Sequence, residues 1–305
     1  MMHNQFILTA DLHLRTTRPR CRLDDDWLFT QQNVLAQISK QANDKKVPVV
    51  VVGDIFNSNI DVSNELMTIV QTWACACSCG VFMLAGNHDL PYHNVKNLRK
   101  SSIGVLLGSR GVGEINDLYF HLDDSIVEQS ANHFGVEQAI DAEIIFEHIL
   151  CLPEKIKLPD EAEVTYPKDL FEKYKKARYI FTGDYHRFFI ASNKGETRYV
   201  INPGCVIRQA ADLIDYKPHI LYINLDEEDI SKVVTPIPID DFGNLVTDEY
   251  LQREEERNDR IESFIERVKS SETVSFDFLE NVNARIRDKK IDKKTKEVVL
   301  ELIGT

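Results

Sequence analysis

The chain predicts an α/β protein of layered units, and three observations carry that expectation. Short apolar runs alternate with amphipathic stretches through the first 90 residues. Several of these runs end in, or contain, a cluster of acids, amides and histidines that a core strand would not want. A length of 305 residues with 43% hydrophobic content suffices for one large core plus a small appendage.

Taken in order, Phe6–Ala10 reads as a strand, and Trp27–Ala42 as a helix with Leu28, Leu35, Ile38 and Ala42 on one side. Val47–Val52 reads as a buried strand, Ser63–Cys79 as a helix and Val81–Ala85 as a third strand. Later strands are expected at Glu143–Leu152, Tyr179–Thr182, Arg198–Ile201 and Ile220–Leu225. The composition changes at Asp226, and Pro236 and Pro238 mark a boundary, so the reading is a domain over 1–225 and a charged, largely helical region over 226–305. In that region Thr247 with Asp248 and Glu249 starts a helix. Ile261, Phe264, Ile265 and Val268 form an apolar stripe of the kind that packs into a core. No internal repeat or low-complexity segment is evident.

The formal net charge of -13 argues against a protein that binds DNA mainly through a strongly basic surface. Residues 226–305 hold 21 acids and 13 bases, a balance of -8, which leaves -5 for residues 1–225. Within them, Arg285, Arg287, Lys289, Lys290, Lys293, Lys294 and Lys296 face only Asp288 and Asp292, a local basic patch that reads equally as a solvated face or as a phosphate or partner contact. The longest apolar runs, 47–52 and 144–152, are far short of a bilayer span, and the N-terminus does not read as a secretory signal. Six cysteines without framework spacing fit a reducing compartment, so a cytosolic protein is expected. Cys75, Cys77 and Cys79 raise the question of a metal cluster, but at helical spacing alternate cysteines point to different sides, and they read as small buried residues of the second helix.

Five clusters carry the chemistry: Asp11-Leu12-His13, Gly53-Asp54, Gly86-Asn87-His88-Asp89, His148, and Gly183-Asp184-Tyr185-His186. Polar groups just beyond successive strands of an α/β sheet converge on the ligand crevice, which is where Asp11, Asp54, Asn87 and Asp184 fall. Singly, each has a plain structural reading: a helix cap, a turn, a surface histidine or, for His148, a satisfied core histidine. Jointly they read as a centre for two divalent ions. Carboxylate, amide and imidazole donors suit manganese, magnesium, iron or zinc, whereas a softer site would recruit the cysteines. Two ions about 3.5 to 4 Å apart clamp the attacking and leaving oxygens of an in-line displacement and make hydroxide available near neutral pH. A carboxylate between two cations offsets their repulsion, and Asp54 is the candidate bridge. His3, His93, His121, His133 and His219 lack such company and read as surface or loop residues.

This ordered set resembles the calcineurin-like metallophosphoesterases, and within them the SbcD-type nuclease subunit of double-strand-break repair complexes, which also occurs in many large bacteriophages. The residues that carry the likeness are Leu8-Thr9-Ala10-Asp11-Leu12-His13-Leu14, Val52-Gly53-Asp54-Ile55-Phe56, Ala85-Gly86-Asn87-His88-Asp89 and Asn202-Pro203-Gly204-Cys205. The motifs span residue 8 to about 208.

The resemblance implies a four-layer αββα sandwich with a small C-terminal capping or partner-binding region. It implies one metal on Asp11, His13, Asp54 and His186, and another on Asp54, Asn87, His148 and Asp184. It further implies His88 as the catalytic histidine, with Asp89 a plausible orienting partner, since fixing a tautomer through a carboxylate is a general device. Asp184 departs from the family pattern, which has histidine there; an aspartate makes that site harder and damps the acidity of its metal. The implied partners are DNA, an SbcC-type coiled-coil ATPase and a second copy of the chain in a homodimer, with no membrane. The leading expectation is a manganese-dependent DNA nuclease subunit, exonuclease or endonuclease, acting in repair, recombination or replication. The alternatives are a small-molecule or phosphoprotein phosphoesterase, and a catalytically weakened scaffold subunit.

Overall fold

Four buried valines, Val49–Val52, lie at the middle of the protein and set its layering: with both faces covered, this strand must be sandwiched between apolar partners on each side. In the computed structural model, which describes residues 4–60, 62–122, 125–136, 141–154 and 163–249, those partners are two helices on one face and a second sheet on the other.

The chain begins with β1 (Gln5–Thr9), α1 (Trp27–Lys45), β2 (Val49–Val52), α2 (Asn64–Ala76) and β3 (Val81–Leu84). It continues with α3 (Ser102–Leu106), β4 (Val112–Glu114), β5 (Phe120–Leu122), β6 (Ser125–Val127), β7 (Gln129–Asn132) and β8 (Ile144–His148). Then come α4 (Pro167–Lys173), β9 (Tyr179–Gly183), β10 (Phe189–Ser192), β11 (Tyr199–Asn202), β12 (His219–Asn224), α5 (Ile230–Val233) and β13 (Val234–Pro238).

The first sheet has the order β13-β12-β1-β2-β3-β4 and the second β10-β11-β9-β8-β7, while β5 and β6 pair as a hairpin. Strands β1 to β4 are mutually parallel, as are β7, β8, β9 and β11; β12, β13 and β10 run antiparallel to their neighbours. Ile7, Val49, Val51, Val81 and Met83 face α1 and α2. Phe6, Leu8, Val50, Val52 and Leu84 point the other way, onto Ile144, Phe146, Phe181 and Ile201 of the second sheet. The outer face of that sheet, through Ile145, Ile180 and Val200, is closed by Leu170 and Tyr174 of and beside α4. The result is the expected αββα sandwich.

Local chemistry sets the helix ends. The Asp26 carboxylate accepts the Phe29 N–H at 2.9 Å to start α1, and the helix ends where Lys46 turns left-handed at φ 57°. Ser63 starts α2 in the same way, but the helix stops at Ala76, short of the expected Cys79, because Cys77 and Gly80 (φ 84°) turn the chain into β3. Only Cys77 of the three cysteines is buried as expected; Cys75 is exposed, Cys79 is half-buried, and Cys77 and Cys79 lie past the last helical residue, so the early helix end gives them different surroundings.

Strands β4 to β7, β10 and β13 and helices α3 to α5 have no counterpart in the sequence reading: most are three to five residues long, without a sustained period. Pro236 and Pro238 lie inside β13 rather than at a boundary, which the sheet tolerates because β13 is an edge strand bonded on one side only. The chain divides into compact units at 1–248 and 249–305, so residues 226–248 fold with the first unit, past the composition change at Asp226. The apolar stripe at Ile261 and the basic patch at 285–296 lie outside the described residues. No helix among the described residues is long and apolar enough to cross a membrane.

The inter-sheet layer is held by aromatic packing: the Phe181 ring lies 4.9 Å from Phe146 in a stacked arrangement and 5.6 Å from Phe6 edge-on. Phe181→Ala is expected to destabilise the protein by about 3–5 kcal/mol, read as a lowered urea midpoint at unchanged slope. A loss under about 1 kcal/mol would show that the two sheets are not joined through this ring.

Candidate metal centre

Five parallel strands, β1, β2 and β3 of the first sheet and β8 and β9 of the second, deliver their carboxyl ends to one place. At each end the backbone bends sharply. Asp11 (φ 52°), His13 (45°), Asp54 (52°) and Asp184 (81°) all sit in the left-handed region that non-glycine residues avoid. Such strain persists only where neighbouring bonds enforce it. Here the Asp11 N–H donates to the Gly53 carbonyl at 3.1 Å and the His13 N–H to the Asp54 carbonyl at 2.9 Å. The Asp184 N–H donates to both Asp11 carboxylate oxygens, at 3.0 and 3.1 Å, tying the second sheet to the first.

Close approach requires glycine at two of the motif positions. A Cβ on Gly53 would lie 2.0 Å from His148 Nδ1, and one on Gly86 would lie 2.1 Å from Asp54 Oδ1. Asn202, from the segment after the last motif, donates its amide to the carbonyls of Tyr185 at 2.6 Å and Arg187 at 2.9 Å. The carbonyl of His186 itself accepts from the Cys205 N–H at 3.2 Å. The Asn202–Cys205 motif is thus the brace that presents His186.

The centre of the arrangement is Asp54, which is fully buried. Its Oδ2 lies 3.4 Å from His148 Nε2 and 3.7 Å from His13 Nε2, and its Oδ1 accepts the His88 N–H at 3.0 Å. His148 Nδ1 lies 2.9 Å from the Val52 carbonyl, which can only accept, so Nδ1 carries a proton and Nε2 is the atom turned inward. His13 Nε2 lies 3.0 Å from His186 Nε2, and the Asn87 side-chain amide lies 3.1 Å from His148 Nε2 and 3.2 Å from both Asp54 carboxylate oxygens.

Acceptors crowding acceptors in this way suit a shared cation better than a network of hydrogen bonds. The donor atoms fall into groups within 4.8 Å of one another, among them Asp11, His13 and His186 on one side and Asp11, Asp54 and His148 on the other. Oxygen and imidazole donors of this kind fit divalent ions such as manganese, magnesium, iron or zinc, and the geometry is that of a dimetal site.

The electrostatics agree. Burial would raise the Asp54 carboxyl, but the facing imidazoles of His148 and His13 outweigh it and hold it below the usual range. Burial disfavours charge on His148, yet the surrounding Asp54, Asp11 and Asp184 push that imidazole up to about 10. His13 is lowered to about 3, chiefly by burial, which keeps it a neutral donor. Burial and the charges of Asp54 and Asp184 raise Asp11, against the pull of His148. So much buried negative charge calls for positive charge within the cluster.

One expectation changes on contact with the geometry, and two residues read as surface or loop positions gain a supporting role. Asp89 does not orient His88: its carboxylate accepts the backbone N–H groups of Gly86 (3.0 Å), Ile55 (3.1 Å) and Phe56 (2.9 Å), so it joins the loops after β2 and β3. Burial and then Asp54 push Asp89 up to about 7. His88 is oriented instead by the Asn57 carbonyl, 2.6 Å from Nδ1; a backbone acceptor has no residue-type signature in a sequence. Nor are His93 and His133 bystanders. His133 Nδ1 accepts the Ala85 N–H at 2.7 Å and His93 Nδ1 lies 2.9 Å from the Asn87 carbonyl, so both position the loop that bears Asn87. Only the crossing of the segment after β7 over the end of β3 brings His133 there. Asp184 stands at the rim: its Oδ1 is 3.9 Å from His148 Nε2 and its side chain is 21% exposed.

Among solved structures, the fold is similar to a crystal structure of a dimetal phosphatase from Danio rerio. That match has 14% identity and a TM-score of 0.48, over 72% of this chain and 92% of that one. It is also similar to an archaeal phosphodiesterase, with 14% identity and a TM-score of 0.39, over 77% of this chain and 99% of that one. No curated protein sequence matches the chain. The pattern of the calcineurin-like phosphoesterases matches residues 5–189, which contain every one of the converging side chains. The chain therefore belongs to the calcineurin-like phosphoesterase family and is a metal-dependent hydrolase of phosphoester bonds.

Proposed function

We propose that this hydrolase is a two-metal DNA nuclease of the SbcD type, acting on phosphodiester bonds with manganese as its working ion. The observation that carries the reading is the convergence of overlapping donor groups, Asp11, His13 and His186 with Asp11, Asp54 and His148, around buried Asp54 at the joined strand ends. The order and detail of the motifs, through Asn202-Pro203-Gly204-Cys205, add the nuclease resemblance.

In this proposal Asp11, His13, Asp54 and His186 hold one ion, and Asp54, Asn87, His148 and Asp184 the other. Together the ions neutralise phosphate charge and supply hydroxide near neutral pH. The side chains do the rest. Asp54 belongs to both donor sets and would serve both ions, and the Val52 carbonyl fixes the His148 ring. The Asn57 carbonyl holds the Nδ1 proton of His88, which leaves Nε2 to exchange a proton with the leaving oxygen. The His88 ring stands 4.9 Å from that of His13, edge to face, so it works beside the first ion.

An acidic nuclease subunit needs help to hold DNA. A coiled-coil ATPase of the SbcC type and a dimeric arrangement of this chain are the partners proposed to supply it, with residues 249–305 as the segment available to dock.

The test is a substrate panel on metal-stripped protein given manganese, magnesium, zinc or ferrous iron in turn. The expected outcome is cleavage of oligonucleotides and of bis(p-nitrophenyl) phosphate with manganese, abolished by EDTA. Turnover of p-nitrophenyl phosphate with no cleavage of DNA would favour a small-molecule phosphoesterase. No hydrolysis with any ion, alongside a stable complex with a coiled-coil ATPase, would favour a scaffold.

A second expectation concerns His88→Ala. It should keep manganese affinity within about twofold by calorimetry while lowering kcat by roughly 10²- to 10⁴-fold, the usual worth of a general acid. Turnover within a few fold of the parent would remove His88 from the chemistry.

A further inference from the structure

An acidic chain carries one conspicuous exception near its site. Residues 15–22 hold four arginines, Arg15, Arg18, Arg20 and Arg22, and no acid before Asp24, in a protein of net charge -13. Two of the four are committed to the fold. Arg22 is buried, with Nε and Nη2 each 2.8 Å from the Asp24 carboxylate, and Arg18 donates to the Asp24 carbonyl at 2.6 Å.

Arg15 differs. Its guanidinium makes one long hydrogen bond, from Nη1 to the Asn57 amide oxygen at 3.4 Å, and its Nε is buried without a partner. No carboxylate among the described residues is seen to neutralise it.

Its backbone, by contrast, is held firmly. Fully buried Gln31 of α1 accepts the Arg15 N–H at 2.8 Å and donates to the Arg15 carbonyl at 2.8 Å. A cation fixed at its root and unsatisfied at its tip is prepared for an anionic ligand, because little ordering remains to be done when the ligand arrives.

Position says which anion. Leu12 and Leu14 point into the core beneath the helices, so His13 and Arg15 face the open side. His13 meets His186 and His88, while Arg15 reaches Asn57, whose carbonyl orients His88. A single residue, Asn57, thus separates the Arg15 guanidinium from His88, so with the scissile phosphate beside His13 and His88 the anion nearest Arg15 is an adjoining phosphate of the same strand, and a guanidinium fork matches phosphate oxygens bidentately.

We infer that Arg15 is a specificity residue that binds the phosphate flanking the scissile one, so that the site prefers a polynucleotide over an isolated phosphodiester. The inference rests on the nuclease reading above and gives it a substrate-length requirement.

The experiment compares Arg15→Ala, Arg15→Lys and the parent, each loaded with manganese, on a single-stranded oligonucleotide and on bis(p-nitrophenyl) phosphate. The oligonucleotide-to-aryl-ester ratio of kcat/KM should fall roughly tenfold or more in Arg15→Ala, through KM, and recover in part in Arg15→Lys. With calcium in place of manganese, the slope of log affinity for the oligonucleotide against log salt should flatten by about 0.7, the loss of one phosphate contact. Equal losses on both substrates, an unchanged salt slope, or weakened manganese binding would overturn the assignment and make Arg15 a structural residue. If the parent hydrolyses the aryl ester but no oligonucleotide, the nuclease reading itself has failed, an outcome distinct from an Arg15 variant that cleaves DNA as the parent does.

Discussion

A carboxylate removed from water must be matched by positive charge or by hydrogen-bond donors, and in this protein that requirement concentrates on Asp54. It lies at no exposure between the ends of two sheets, with Asp11, Asp89 and Asp184 close by. Each neighbour has its own means of compensation: Asp89 accepts three backbone N–H groups, and Asp11 accepts the Asp184 N–H through both oxygens. Asp54 receives one backbone N–H, from His88, and otherwise faces imidazole nitrogens and the Asn87 side-chain amide. The rest of the centre is arranged around this deficit of donors, which a pair of divalent cations meets better than protons do.

Holding such a centre open falls to neutral amides and backbone carbonyls rather than to further charge. Val52 and Asn57 offer carbonyls to fix the tautomers of His148 and His88, Asn202 braces the segment that bears His186, and Gln31 clamps Arg15. None of these groups titrates near neutral pH, so none competes with the ions or with the substrate for charge. The strained conformations at Asp11, His13, Asp54 and Asp184 are maintained by the same short loops, which pair with one another just past the strand ends.

Away from the centre, a buried ionic network fixes the segment after β13. Arg22 reaches both Asp24 and Asp241, Arg208 binds the Asp241 carboxylate at 2.6 Å through Nη2, and Thr30 donates to Asp24 at 2.6 Å. Trp27 lies under the Arg22 guanidinium, 5.3 Å from it to the ring centroid. Such a network resists piecemeal change, since removing one member leaves a buried charge unmatched. It joins the arginine-bearing loop, α1 and the 240–246 segment into one support, and so explains why the compact unit runs on to Asp248.

The sequence by itself determined the layered α/β class, the strands that bear the motifs and the set of polar residues that meet. Valine runs and helical stripes are repeated local signals, and a side chain that acts directly must show its own chemistry in its residue type. Tertiary structure alone decided what acts indirectly. Asn57 works through a carbonyl that every residue possesses, His133 reaches Ala85 only because β7 ends beside β3, and Asp89 turned from His88 to the loop N–H groups that lay nearer. The same holds for β13, whose prolines read as a break until the sheet left that strand an unpaired edge. The division is physical: donor type is a property of a residue, whereas partnership is a property of distance, and distance between positions far apart in the chain exists only once the two sheets have packed.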